Sequence, residues 1–217
     1  NEFATLAWLR TGEIAHENID LPKFSNSRFK QMLPQLKALT AYKHPKVFLP
    51  KLQEACARVG VGVVSSRATT GCRASGASWM SKSGNPAILL SFRHLSDDHF
   101  WFTFFHEAAH VALHGIEHID IEGVDPSPFD APNQENEANQ FAQDILVPEK
   151  FRDELFNAVP TRAHAKRIAR QTGVTPGIIV GQLQKSGALQ AHQFNDLKRR
   201  YRWKSDHSLP EVTQPRK

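Results

Sequence analysis

The sequence predicts an α+β fold, mainly helical, in which a small mixed or antiparallel sheet packs on one apolar, histidine-bearing helix. Three observations carry this reading. Apolar residues recur at helical spacing over much of the 217 positions. The short strand-like runs fall together between Gly60 and Phe92. Directly after them, Phe100–Leu113 (FWFTFFHEAAHVAL) is strongly apolar, as a helix buried on several sides must be. A hydrophobic content of 40% beside 23% charged residues fits a globular domain with a real core. No apolar run approaches the ~20 residues needed to cross a membrane, so no membrane partner is expected. Two cysteines, Cys56 and Cys72, are too few for a disulfide framework and fit a reducing, cytoplasmic setting. The chain opens on Asn1 rather than Met, and a missing upstream segment is expected.

Taken in order, Phe3 to about Ala41 is amphipathic and helical, with breaks expected at Asp20 to Pro22 and at Pro34. Leu33, Leu36 and Leu39 mark its apolar stripe, and Pro45 is expected to end the region. Phe48 to Val59 reads as a helix with Leu52, Ala55, Cys56 and Val59 on one face. Gly60 to Val64 turns into a strand, Ala77 to Met80 is a second, and Ala87 to Phe92 a third, which could pair with an extended peptide. Ser96, Asp97 and Asp98 supply the cap and acidic first turn of the motif helix, and Gly115 its end. Val124 to Pro132 is a proline-rich loop, and Glu135 to Leu146 is helical as far as Pro148. Helices follow at Phe151–Val159, Thr161–Gln171 and Gly177–Gln184. The division expected is a helical segment over 1–49, a core over 50–150, helices packed on it over 151–204, and a disordered tail over 205–217.

Charge is uneven. Residues 1–94 carry net +8, residues 95–159 net −12 and residues 160–217 net +9. An acidic centre favours a bound cation, and basic flanks favour nucleic acid or an acidic partner.

Within the motif helix His106, Glu107 and His110 form H-E-x-x-H. Two imidazoles one turn apart can grip one metal ion, while the adjacent carboxylate can take a proton from a metal-activated water. A catalytic zinc site wants a third protein ligand. Leu113 and Ile116 stand where one zinc class needs Gly and His, so that class is excluded. His114 and His118 continue the four-residue spacing but read as surface or supporting histidines. A glutamate on the next helix is the other source. Ala138, Ala142, Ile145 and Leu146 share a face there; Glu135 borders it at roughly 35° and Glu137 lies roughly 125° away. Phase favours Glu135, with Asn139 one turn later placed to support a ligating imidazole.

His106 to His110 extended by Leu113-His114-Gly115, together with Glu135 to Ala142 and Leu146 to Pro148, resembles the ImmA/IrrE metallo-endopeptidases. The likeness extends over about residues 50–204. It implies one catalytic Zn²⁺ held by His106, His110 and Glu135, with Glu107 as general base, and a protein substrate such as a helix-turn-helix repressor. It also implies an N-terminal helix-turn-helix domain upstream in many members. Tyr201, His164 and Arg93 are candidates for stabilising the oxyanion, and Cys72 for an inhibitory thiol at the open metal position. The rival reading is DNA binding. Lys166 to Val180 imitates a helix-turn-helix, and Arg199, Arg200 and Arg202 could contact phosphates. Against it, Gly177 to Gly181 offers almost no side chains that read bases.

Overall fold

The computed structural model describes residues 1–115, 120–122, 132–203 and 209–213. His118 and the expected proline-rich loop, all but its last residue Pro132, lie outside them. Helix α1 (Glu2–Glu17) is capped by Asn1, whose side chain accepts from the Phe3 amide. Helix α2 (Asn26–Leu36) runs past Pro34 before tightening into a 3₁₀ turn at Lys37–Ala41, so the expected break falls three residues later. Pro45 opens α3 (Pro45–Ala57) rather than ending anything, because its missing N–H falls at a position with no helical partner. Strands β1 (Gly62–Ser65), β2 (Gly76–Met80) and β3 (Pro86–Leu90) follow, then α4 (Asp97–Ala109), which continues as a π-helical turn over His110–His114. Gly115, left-handed at φ 66°, ends it as expected. After β4 (Asp120–Glu122) come α5 (Pro132–Leu146), α6 (Arg152–Asn157), α7 (Arg162–Thr172) and α8 (Pro176–Lys185). Strands β5 (Tyr201–Arg202) and β6 (Glu211–Val212) pair antiparallel, so two residues of the segment expected as a disordered tail belong to a strand.

The sheet has the order β1-β3-β2-β4, with β1 parallel to β3 and the other pairs antiparallel. Strand β3 is therefore paired on both sides, which corrects the expectation that it offers an edge to a peptide. Among the described strands the free edges belong to β1 and β4.

Alternation along the strands divides the apolar interior in two. Val63, Ile88 and Leu90 join the main core with α3, α4, α5, α7 and α8. Val64, Ala77, Trp79, Ala87 and Leu89 point the other way, onto Trp8 and Leu9 of α1. Phe48, Phe92, Phe100 and Trp101 stack and tilt against one another at the heart of the main core. Each such ring contributes about 1.5–3 kcal/mol through burial alone.

Helix α8 crosses α4 closely because Gly177 and Gly181 stand at the crossing. A Cβ on Gly177 would come within 2.6 Å of Asp97 Oδ1, and one on Gly181 within 2.8 Å of the Asp98 Cβ. The same helix buries Ile178, Ile179, Val180, Gln182 and Leu183. The segment that imitates a DNA-recognition helix thus packs into the core, and its helix-turn-helix reading does not hold. Asp97 secures the crossing: its carboxylate accepts from Thr175 Oγ1 at 2.7 Å and from the Arg199 amide at 3.0 Å.

Burial pushes the Asp97 carboxyl up to about 6 from the ordinary 3.8, against the opposing pull of the Thr175 hydrogen bond. The folded state then binds this proton more tightly than the unfolded chain. Its contribution is most favourable at low pH and declines as pH rises from 3.8 through about 6. Asp97→Asn should flatten that part of the stability profile, read as denaturant midpoints at a series of pH values.

Candidate metal centre

Helix α4 is buried on nearly every side, between the sheet, α5 and α8. Its polar side chains therefore have defined surroundings. His106 Nε2 lies 3.2 Å from His110 Nε2. Glu135, near the start of α5, brings Oε2 to 3.6 Å from His106 Nε2 and Oε1 to 3.2 Å from His110 Nε2. One donor atom from each of the three lies within 4.8 Å of the others. Two buried imidazoles and a half-buried carboxylate converging on one point are a donor set that suits a divalent metal ion.

Glu107, next in sequence to His106, faces β2. It is fully buried, and Ser78 donates a 2.8 Å hydrogen bond to its Oε2. Gly76 makes room for it: a Cβ there would sit 2.5 Å from Glu107 Oε1 and 2.6 Å from Thr103 Cγ2. Neither Ser78 nor Gly76 was singled out by sequence. Their signal is a Gly-x-Ser alternation that sends both residues to one face of a strand, which becomes informative only once that face is known to meet α4.

His114, expected as a surface or supporting histidine, stands against His110. His114 Nδ1 lies 3.2 Å from His110 Nδ1, and its Nε2 lies 3.0 Å from Glu137 Oε2. Glu137, set aside as a ligand by helical phase, thus anchors the histidine that stands against the His110 imidazole. Asn139 stands half-buried one turn after Glu135.

The remaining candidates scatter. Tyr201 packs among Phe48 and Phe92 in the core, with its hydroxyl pushed up by burial. His164 is buried on α7, beside the Leu155 carbonyl and Arg167. Arg93 is exposed, at the rim of a cavity that Phe102 and Ser75 share. Cys72 lies in the cluster formed with Trp8 and Leu89, and its sulfur accepts from Thr5 Oγ1 at 3.7 Å. The sheet stands between that thiol and the metal ligands, so the inhibitory role expected of it has no geometric support. Cys56 is core, its thiol pushed up by burial.

A small sheet backing a buried helix, with a metal-ligand group on that helix and its neighbour, defines the class: an α+β domain built around a candidate metal centre. Residues 57–183 match the peptidase family M78, described as the IrrE N-terminal-like domain. The chain belongs to that family, whose members are peptidases. No curated protein matches the chain.

Glu135→Ala should weaken metal affinity beyond the ~10–100-fold typical of losing a supporting partner, whereas Glu137→Ala should fall within that range. Competition with a chromophoric chelator measures both; metal retained without Glu135 would assign the third ligand elsewhere. Ser78→Ala leaves the buried Glu107 carboxylate without this donor and should cost about 1–3 kcal/mol in a denaturant melt.

Proposed function

We propose that this chain is a zinc-dependent endopeptidase that cuts a regulatory protein, such as a helix-turn-helix repressor. The observation that carries the reading is the convergence of His106, His110 and Glu135 within 4.8 Å, beside a buried glutamate held by its own hydrogen bond. Family membership supports peptide hydrolysis as the reaction. Two nitrogens and a carboxylate oxygen suit zinc, and a glutamate directly after the first histidine has no structural use in a purely structural site.

Zinc, when bound, would supply Lewis acidity that brings a water molecule's pKa towards neutrality and polarises the scissile carbonyl. The chain's own residues do the rest. His106 and His110 are kept in position by burial, and His110 also by His114 behind it. Ser78 fixes the rotation of the Glu107 carboxylate by holding Oε2, so that Oε1 can take the proton from the attacking water and pass it to the leaving amine. The edge that β4 presents among the described strands offers backbone groups with which an extended substrate could pair.

The reading leaves DNA contacts to the basic flanks or to an upstream module, because α8 is buried. No described helix is long and apolar enough to cross a membrane.

Glu107→Gln should keep one zinc per chain by elemental analysis while lowering cleavage by about 10²–10⁴-fold. The assay is mass spectrometry of an unfolded test protein and of a panel of helix-turn-helix repressors. Cleavage at the wild-type rate by this variant would sink the mechanism.

A further inference from the structure

A cavity of about 400 Å³ opens beside the metal centre, between α4, α8 and the turn that joins β3 to α4. Two of its lining residues adjoin the proposed reaction site. Phe102, one turn before His106, lines it and holds its ring 6.1 Å from the His106 ring. Ser75 lines it as well and directly precedes Gly76, the residue against which Glu107 rests. A peptide lying over the metal ligands would send a neighbouring side chain this way, since successive residues of an extended chain are only about 3.4 Å apart.

The lining has a definite chemistry. Phe102, Leu146 and Ile178 supply an apolar wall. Inside, Lys198 is neutralised by Asp98 at 2.6 Å and tied to Gln184 Oε1 at 2.6 Å, with both charged groups buried. His94 and His99 stack at 4.1 Å. Burial holds His99 below its ordinary value and His94 at about 4, so both are neutral at pH 7. What remains is Arg93 and Lys185, both exposed at the mouth and without a carboxylate partner among the described residues.

The backbone adds an independent observation. Phe92 and Leu95, neither of them glycine, adopt φ of 53° and 50° and bracket Arg93 and His94. Left-handed backbone is disfavoured at such non-glycine residues. It persists because the Phe92 ring is locked against Phe48, Phe100 and Tyr201. The core thus holds a strained turn that presents a guanidinium to the cavity.

We propose that this cavity is a substrate subsite that selects an acidic residue, Asp or Glu, within two positions of the cleaved bond. The methylene stem lies on Phe102 and Ile178, and the carboxylate meets Arg93 and Lys185 at the mouth. The assignment rests on the peptidase reading above, and the test separates the two.

In one arm, the full chain carrying Glu107→Gln is immobilised and offered a random decapeptide library, and the retained peptides are sequenced. In the other, the zinc-loaded wild type cleaves a peptide library from a proteome digest, and the cut sites are read by mass spectrometry. Asp and Glu should be enriched about tenfold at one position in both arms. The double reversal Arg93→Glu with Lys185→Glu should move the enrichment to Lys and Arg at that same position, with metal content and far-UV circular dichroism unchanged. A merely structural role would not produce such a reversal. Retention of acidic peptides without cleavage upholds the subsite and defeats the peptidase reading. Cleavage without acid preference, or a preference that ignores the reversal, overturns the subsite. Citrate or inorganic phosphate raising the melting temperature of the wild type but not of the reversed protein, with no acidic peptide enriched, would overturn it in favour of a free anion.

Discussion

The approach of α4 to β2 at Gly76 sets the position of the functional side chains. With no Cβ at Gly76, the helix can lie so close that Glu107 and Thr103 fill the space a side chain would occupy. That contact turns Glu107 into the sheet and onto Ser78. Because His106 and His110 are fixed to the same helix at known angular offsets, turning Glu107 inwards turns both imidazoles towards α5 and Glu135. A larger residue at 76 would lift or rotate the helix, and all four groups would move together. The glycines on the other side work the same way: Gly177 and Gly181 let α8 close over the first turn of α4 and lock its axial position through Asp97.

The polar groups of α4 are tolerable in a core because each has an assigned environment. A buried carboxylate or imidazole left alone would cost several kcal/mol, more than one aromatic ring contributes. Ser78 answers Glu107, the two histidines face each other and Glu135, and Asp97 and Asp98 are answered by Thr175, the Arg199 backbone and Lys198. These partners come from sequence positions spread over more than a hundred residues. The fold therefore has to be complete before the helix can be buried, which couples the formation of the site to the formation of the core.

That separation explains what the sequence made legible and what it hid. Local patterns announced themselves: the H-E-x-x-H helix with Gly115 at its end, the apolar strands, and the phase that placed Glu135 rather than Glu137 towards α4. Each depends on residues a turn or two apart. Ser78, Gly76 and the pairing of His114 with Glu137 were hidden because they arise only when two distant segments meet. The π-helical turn at His110–His114 was hidden as well, since nothing in Val111 to Leu113 distinguishes it from an α-helix. Proline misled twice: Pro34 is carried inside a helix whose end lies two residues on, and Pro45 begins one. The helix-turn-helix likeness is superficial, as the lack of base-reading side chains implied. Its turn is real, with Gly173 left-handed between α7 and α8, but the second helix spends its side chains on the core.

The sheet keeps two apolar clusters apart, with Trp8, Trp79 and Leu89 on the face turned away from the metal ligands. Variation on that face can therefore be absorbed by α1 without passing through the spacing of His106, His110 and Glu135. Seen in evolutionary terms, the back of the sheet is free to drift or to acquire new attachments, while the front is bound to a single geometry. Divergence among such domains should accordingly be lopsided, with substitutions accumulating behind the sheet much faster than in front of it.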